Sequence, residues 1–158
     1  VVATLAEALA SVAPVVGINS HMGSRLTGDE AAMRRFARGL GATGPDLFFV
    51  DSRTTPRSVA GRVLRASGIR VLERDVFLDH VPRPAAVRRQ LERLLAVARR
   101  RGHALGIGHP HRATLDVLRA FSPARAGVKL VPVSALLALD GGTATECAAG
   151  VRITAPAW

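Results

Sequence analysis

The chain has 158 residues, 48% of them apolar and 22% charged, which is the composition of one folded domain and excludes a disordered segment. Its formal net charge of +10 is almost all arginine, with Lys129 the single lysine; there is no tyrosine and no aromatic interleaving, so a nucleic-acid-binding surface is set aside in favour of solvated helix faces. No apolar run approaches the roughly 20 residues of a membrane span, and the lone Cys147 rules out an intrachain disulfide or thiolate metal cluster.

Along the chain a short apolar strand, a polar loop and an amphipathic helix recur. Leu5, Leu9 and Val12 fit an opening helix. Val15–Ile18 reads as a buried strand followed by Asn19-Ser20-His21-Met22-Gly23-Ser24-Arg25. Thr27-Gly28-Asp29-Glu30 has capping-box spacing, and Met33, Phe36, Ala37 and Leu40 form one apolar stripe behind it. Leu47–Val50 is the second strand; Thr55 and Pro56 are suited to open the next helix, which runs to Gly68. Ile69–Leu72 is the third, leading into Glu73-Arg74-Asp75-Val76-Phe77-Leu78-Asp79. A long helix over 84–101 turns Val87, Leu91, Leu94, Leu95 and Ala98 inward, with Gly102 as its stop. Ala104–Ile107 is the fourth strand, before Gly108-His109-Pro110-His111 and a helix carrying Leu115, Leu118 and Phe121. Lys129–Val133 is the fifth, ahead of Ser134 and the short apolar turn Ala135–Leu139. This alternation predicts an α/β fold with parallel, adjacent strands, its folded part being 1–139, and with 140–158 as an extension or tail.

In parallel α/β folds, functional groups gather where strands end and helices begin. His21 and Arg25, Asp51 and Arg53, Asp75 and Asp79, His109 and His111, and Ser134 fall in those loops, and the His, Asp and Arg side chains suit a cation with an oxygen-rich substrate. Each also has a plainer reading: Asp51 as a helix cap or a partner of Arg53, Asp75 and Asp79 as turn formers, Arg74 as a structural ion-pair partner. His111 reads as a first-turn surface residue, and His80 and His103 as ordinary surface histidines.

At these residues the chain resembles the divergent polysaccharide deacetylase family. Gly17-Ile18-Asn19-Ser20-His21-Met22-Gly23-Ser24-Arg25-Leu26-Thr27 is similar to its G-x-N-N-H-M-G-S-x-x-T signature, with Ser20 in place of the second Asn. Leu47 to Thr55 is similar to its F-x-D-S-x-T-T element, and Arg74 to Asp79 to R-D-V-F-L-D. Gly106 to Pro110 and Leu130 to Ser134 resemble the last two motifs. The resemblance implies a partial, distorted β/α barrel of the deacetylase type, and a divalent metal, zinc first, that activates water to remove acetyl groups from a glycan. It implies His21 as metal ligand and His109 as general acid, with Asp75 orienting that histidine. Asn19, Asp51, Arg53, Arg74 and Asp79 would bind substrate or shape the site. The resemblance further implies an acetylated glycan as partner and the periplasm or cell envelope as the place, and no nucleic-acid partner and no membrane insertion within the chain are expected. The family's opening strand with paired Asp residues, and the His-containing strand after it, have no counterpart here. The expectation is therefore a C-terminal portion of a longer protein, whose zinc affinity as this chain alone is weak or absent. A catalytically inactive barrel that binds envelope glycan or an envelope protein stays open as the alternative.

Overall fold

The computed structural model describes residues 2–12, 14–43, 46–140 and 151–154, in two compact units, Val1–Glu73 and Arg74–Trp158. In the first unit, helix α1 (Val2–Ser11) precedes strand β1 (Gly17–Asn19), a single turn α2 (Ser24–Thr27), helix α3 (Glu30–Gly41), strand β2 (Phe48–Asp51), helix α4 (Ala60–Ala66) and strand β3 (Val71–Glu73). The strands lie in the order β1-β2-β3, all parallel, with Ile18 beside Phe49 and Val50 beside Leu72. Every residue of β2 is buried, as a strand covered on both faces requires. Met33 and Ala37 of α3 and Ala60, Val63 and Leu64 of α4 pack with Phe49 and Val71, and Phe36 meets the Phe49 ring edge-on at 5.7 Å. Burying a side chain of Phe49's size contributes about 1.5–3 kcal/mol.

The expected helix starts move by a few residues, for visible reasons. Thr27 closes α2, and Asp29 is the N-cap of α3, its carboxylate accepting from the Ala32 amide at 2.9 Å. Thr55 does not open α4. Its hydroxyl accepts from the Arg57 amide at 3.2 Å and shapes a turn, and the helix begins only at Ala60.

In the second unit, strand β4 (Val76–Phe77) leads to helix α5 (Pro84–Arg101), strand β5 (His103–Ile107), helix α6 (Arg112–Ala120), strand β6 (Val128–Leu130), a 3-10 turn (Val133–Leu136), the short helix α7 (Leu137–Asp140) and strand β7 (Val151–Thr154). Pro84 stands in the first turn of α5, and Gly102, at φ 82°, closes it in the left-handed conformation. Val87, Leu91, Leu94, Leu95 and Ala98 all face the core, against Val76, Leu78 and Ala104. The strand order is β4-β5-β7-β6, all parallel.

The fold class is thus the expected one, mixed α/β with parallel sheets, and neither sheet closes on itself. Two details correct the expectation. The five strands do not form one row: after β3 the chain changes sheets at Arg74 and Asp75, and β4 pairs with β5. The stretch expected as an extension or tail supplies β7, seated between β5 and β6; Cys147 lies outside the described residues. No helix of the described residues is long and apolar enough to cross a membrane.

Candidate functional site

The register of β4 on β5 builds the most ordered polar cluster of the second unit. Val76 stands beside Gly106 and Phe77 beside Ile107, and the ladder extends through Asp75 N to Leu105 O at 2.9 Å and Leu78 N to Ile107 O at 2.8 Å. Counted forward, that register brings Asp79 alongside His109, beyond the carboxyl ends of both strands. Counted backward, it leaves Asp75 beside Leu105.

Asp79 has a fully buried side chain. Its Oδ2 accepts from the His109 amide at 2.5 Å and from the Thr114 hydroxyl at 2.8 Å, while Oδ1 lies 3.2 Å from His109 Nδ1. Thr114, itself buried, comes from the first turn of α6, and His111 is that helix's N-cap. The His109 ring sits between two others, 5.4 Å from Phe77 and 5.5 Å from His111, and the Arg74 guanidinium covers Phe77 at 5.2 Å. A Cβ on Gly108 would lie 3.3 Å from both Asp79 Oδ2 and Thr114 Cγ2, so glycine permits the close approach of this backbone to the carboxylate. Held through its amide and through Nδ1, His109 has both its position and its ring direction set by one buried carboxylate.

This overturns the expected partner of His109. Asp75 accepts from the Leu105 amide at 2.8 Å and forms an ion pair with Arg101, tying the end of α5 to the start of β4. The carboxylate that orients His109 is Asp79, and the reason is register: in paired parallel strands only residues at matching offsets meet. Asp79, His109 and His111 also each offer one ligand atom, all within 4.8 Å of one another. Two imidazoles and a carboxylate are a donor set that zinc accepts. Sequence reasoning places His111 after the same strand as His109 but reads it as a surface residue, and it misses Thr114. The signal that finds them is the register of β4 on β5 combined with the immediate start of α6 after Pro110.

In the first unit the loops after β1 and β2 are stitched together. Asn19 Nδ2 donates to the Val50 carbonyl at 3.1 Å and to Ser52 Oγ at 2.7 Å, Ser52 Oγ donates to the Ser20 carbonyl at 3.1 Å, and the Ser24 and Thr54 hydroxyls share a bond of 2.8 Å. Asp51 is buried; it accepts from the Arg53 amide at 2.8 Å and from the Ser58 hydroxyl at 2.6 Å. It is therefore neither a helix cap nor an ion-pair partner of Arg53, whose guanidinium reaches Glu73 at 2.8 Å. Met22 and Arg53, at φ 54° and 47°, are the described non-glycine residues in the left-handed region, and they sit in these two adjacent loops beside His21 and Asp51. His21 is exposed and Met22 is 86% exposed. On the surface of this unit, hydrogen bonds from Arg62 and then Arg34 pull the Glu30 carboxyl down to about 2.

Residues 1–137 match the family described as divergent polysaccharide deacetylase. An uncharacterized protein of Haemophilus influenzae is 41% identical over 109 residues, which are 69% of this chain and 38% of that protein. The uncharacterized protein YibQ of Escherichia coli is 39% identical over 113 residues, 72% of this chain and 35% of YibQ. The chain thus spans little more than a third of the length of these relatives. The crystal structure of an uncharacterized protein from Agrobacterium tumefaciens aligns with a TM-score of 0.71 at 28% identity, covering 77% of this chain and 49% of that one. The chain belongs to the divergent polysaccharide deacetylase family.

Proposed function

We propose that the protein to which this chain belongs is a divalent-metal-dependent hydrolase of the periplasm or cell envelope that removes acetyl groups from a glycan. Family membership supports the reaction class. The observation that carries the reading is the buried Asp79 carboxylate gripping His109 at the end of parallel strands. A histidine so fixed presents its far nitrogen in one direction, as a proton carrier requires. His109 donates its proton to the departing sugar nitrogen or oxygen, and Asp79 positions it. Imidazole suits zinc, and His21, in an exposed loop at a strand end, is one ligand of the catalytic ion. Such an ion, when bound, polarises the acetyl carbonyl and makes water a nucleophile near neutral pH. Asn19, Asp51 and Arg53 shape the loops around His21, and Arg74 with Phe77 lines the approach to His109.

Acetate release from an acetylated glycan by the full-length protein with zinc tests this. His109→Ala should lower turnover by roughly 10²- to 10⁴-fold at unchanged metal content, the range for losing an acid–base group. Turnover near the wild-type value in that variant removes His109 from the chemistry.

A further inference from the structure

The two atoms that orient His109 are also spaced as two ligands of one metal ion are. Asp79 Oδ1 and His109 Nδ1 are 3.2 Å apart. That is close to the roughly 3.3 Å between two ligands of one tetrahedral zinc, whose bonds are about 2.0–2.1 Å. Asp79 Oδ2 is already fixed by two donors, so Oδ1 is a preset ligand that needs no reorganisation. One ligand atom each of Asp79, His109 and His111 lies within 4.8 Å of the others, and the His111 side chain is exposed at the N-cap of α6. A rotation of that exposed ring closes the remaining gap at little cost in packing. All three residues belong to the second unit, and His21 to the first.

We propose that Asp79, His109 and His111 form an inhibitory transition-metal site whose ligand set does not include His21. Zinc there replaces the proton between Asp79 Oδ1 and His109 Nδ1, because a nitrogen cannot hold both. The one proton of a neutral ring then sits on Nε2. The same two atoms have two exclusive uses: with a proton between them the histidine is oriented for transfer, and with zinc between them it is sequestered. The inhibitory consequence rests on the deacetylase reading; the binding does not.

Zinc titration of the 158-residue chain, followed by calorimetry and by the imidazole resonances of the histidines, tests the site without any activity. One zinc per chain should bind, shifting the His109 and His111 resonances. His111→Ala, on an exposed side chain, should weaken binding at least tenfold, and His21→Ala should leave it unchanged. No binding at about 1 mM zinc overturns the proposal, as does binding that survives His111→Ala or is lost in His21→Ala. If zinc binds as described and excess zinc still leaves a demonstrated deacetylase activity intact, the site exists and the inhibitory role is wrong. If the full-length protein has no such activity, the deacetylase reading fails and the binding result stands alone.

Discussion

Asp79→Asn isolates what the buried carboxylate contributes, because it keeps the shape and removes the charge. A carboxylate only accepts, and Asp79 takes the His109 amide and the Thr114 hydroxyl on one oxygen while facing His109 Nδ1 with the other. In the variant the amide oxygen can keep the first two bonds, and the amide nitrogen must then face Nδ1. Each retained bond falls from the charge-assisted range of about 1.5–3 kcal/mol to the neutral range of about 0.5–1.5, a loss near 1 kcal/mol each. The cheaper burial of an amide returns part of this, so the net cost is about 1–2 kcal/mol. Facing an N–H donor, Nδ1 must become the acceptor, and the His109 proton moves to Nε2. Urea unfolding followed by circular dichroism reads the first effect and nitrogen chemical shifts of the histidine ring read the second. A variant within about 0.3 kcal/mol of the parent, below the usual net worth of even one hydrogen bond, with its tautomer unchanged would show that Asp79 does not orient His109.

Other perturbations follow from single contacts. Gly108→Ala puts a Cβ 3.3 Å from Asp79 Oδ2 and from Thr114 Cγ2, both in a bonded, buried cluster that cannot easily give; chemical denaturation should register a loss of about 1–3 kcal/mol. The Glu30 carboxyl, lowered from 4.5 to about 2, contributes stability that is fully present above the unfolded value and is lost as pH falls from about 4.5 towards 2. The difference in Tm between the parent and Glu30→Gln should accordingly be constant above about pH 5, vanish near pH 2, and shrink in high salt at any pH because the group is exposed. Met22→Gly should raise stability by about 0.5–1 kcal/mol: it relieves a left-handed backbone worth about 1–2 kcal/mol, less the extra entropy of an unfolded glycine, and it gives up almost no buried surface. A measured loss of stability would mean that Met22 has packing that its 86% exposure does not suggest.

Much of this was legible in the chain itself, and what was not has particular causes. Helix α5 is readable end to end because its apolar stripe, Pro84 and Gly102 are all local signals that agree. The start of α4 was not, because Ser58 gives its hydroxyl to Asp51 and Thr55 accepts from Arg57, and these contacts hold residues 56–59 out of the helix despite Pro56. Strand β7 is four residues whose place between β5 and β6 is set by long-range pairing, which no local window carries. Asp75 and Asp79 are indistinguishable by residue type and flank the two-residue strand β4. Only the offset of β4 against β5 separates the latch on Arg101 and Leu105 from the orienter of His109.

The two units use the same construction at the ends of their strands. Asp51, after β2, and Asp79, after β4, are each buried, and each accepts one backbone amide and one hydroxyl: Arg53 N with Ser58, and His109 N with Thr114. In both cases the bound amide belongs to a basic residue whose side chain stays partly exposed. The carboxylate thus fixes the backbone beneath a cationic or proton-carrying group while that group keeps access to whatever approaches the strand ends. The two differ in one respect that bears on function. Asp51 bonds the Arg53 backbone and the Ser58 hydroxyl, and the Arg53 amide it holds belongs to a left-handed turn that costs about 1–2 kcal/mol. Asp79 reaches the side chain as well, through Nδ1. The first arrangement suits a residue that must bind; the second suits one whose ring must point. That asymmetry is the physical argument for proposing His109, and not Arg53, as the proton carrier.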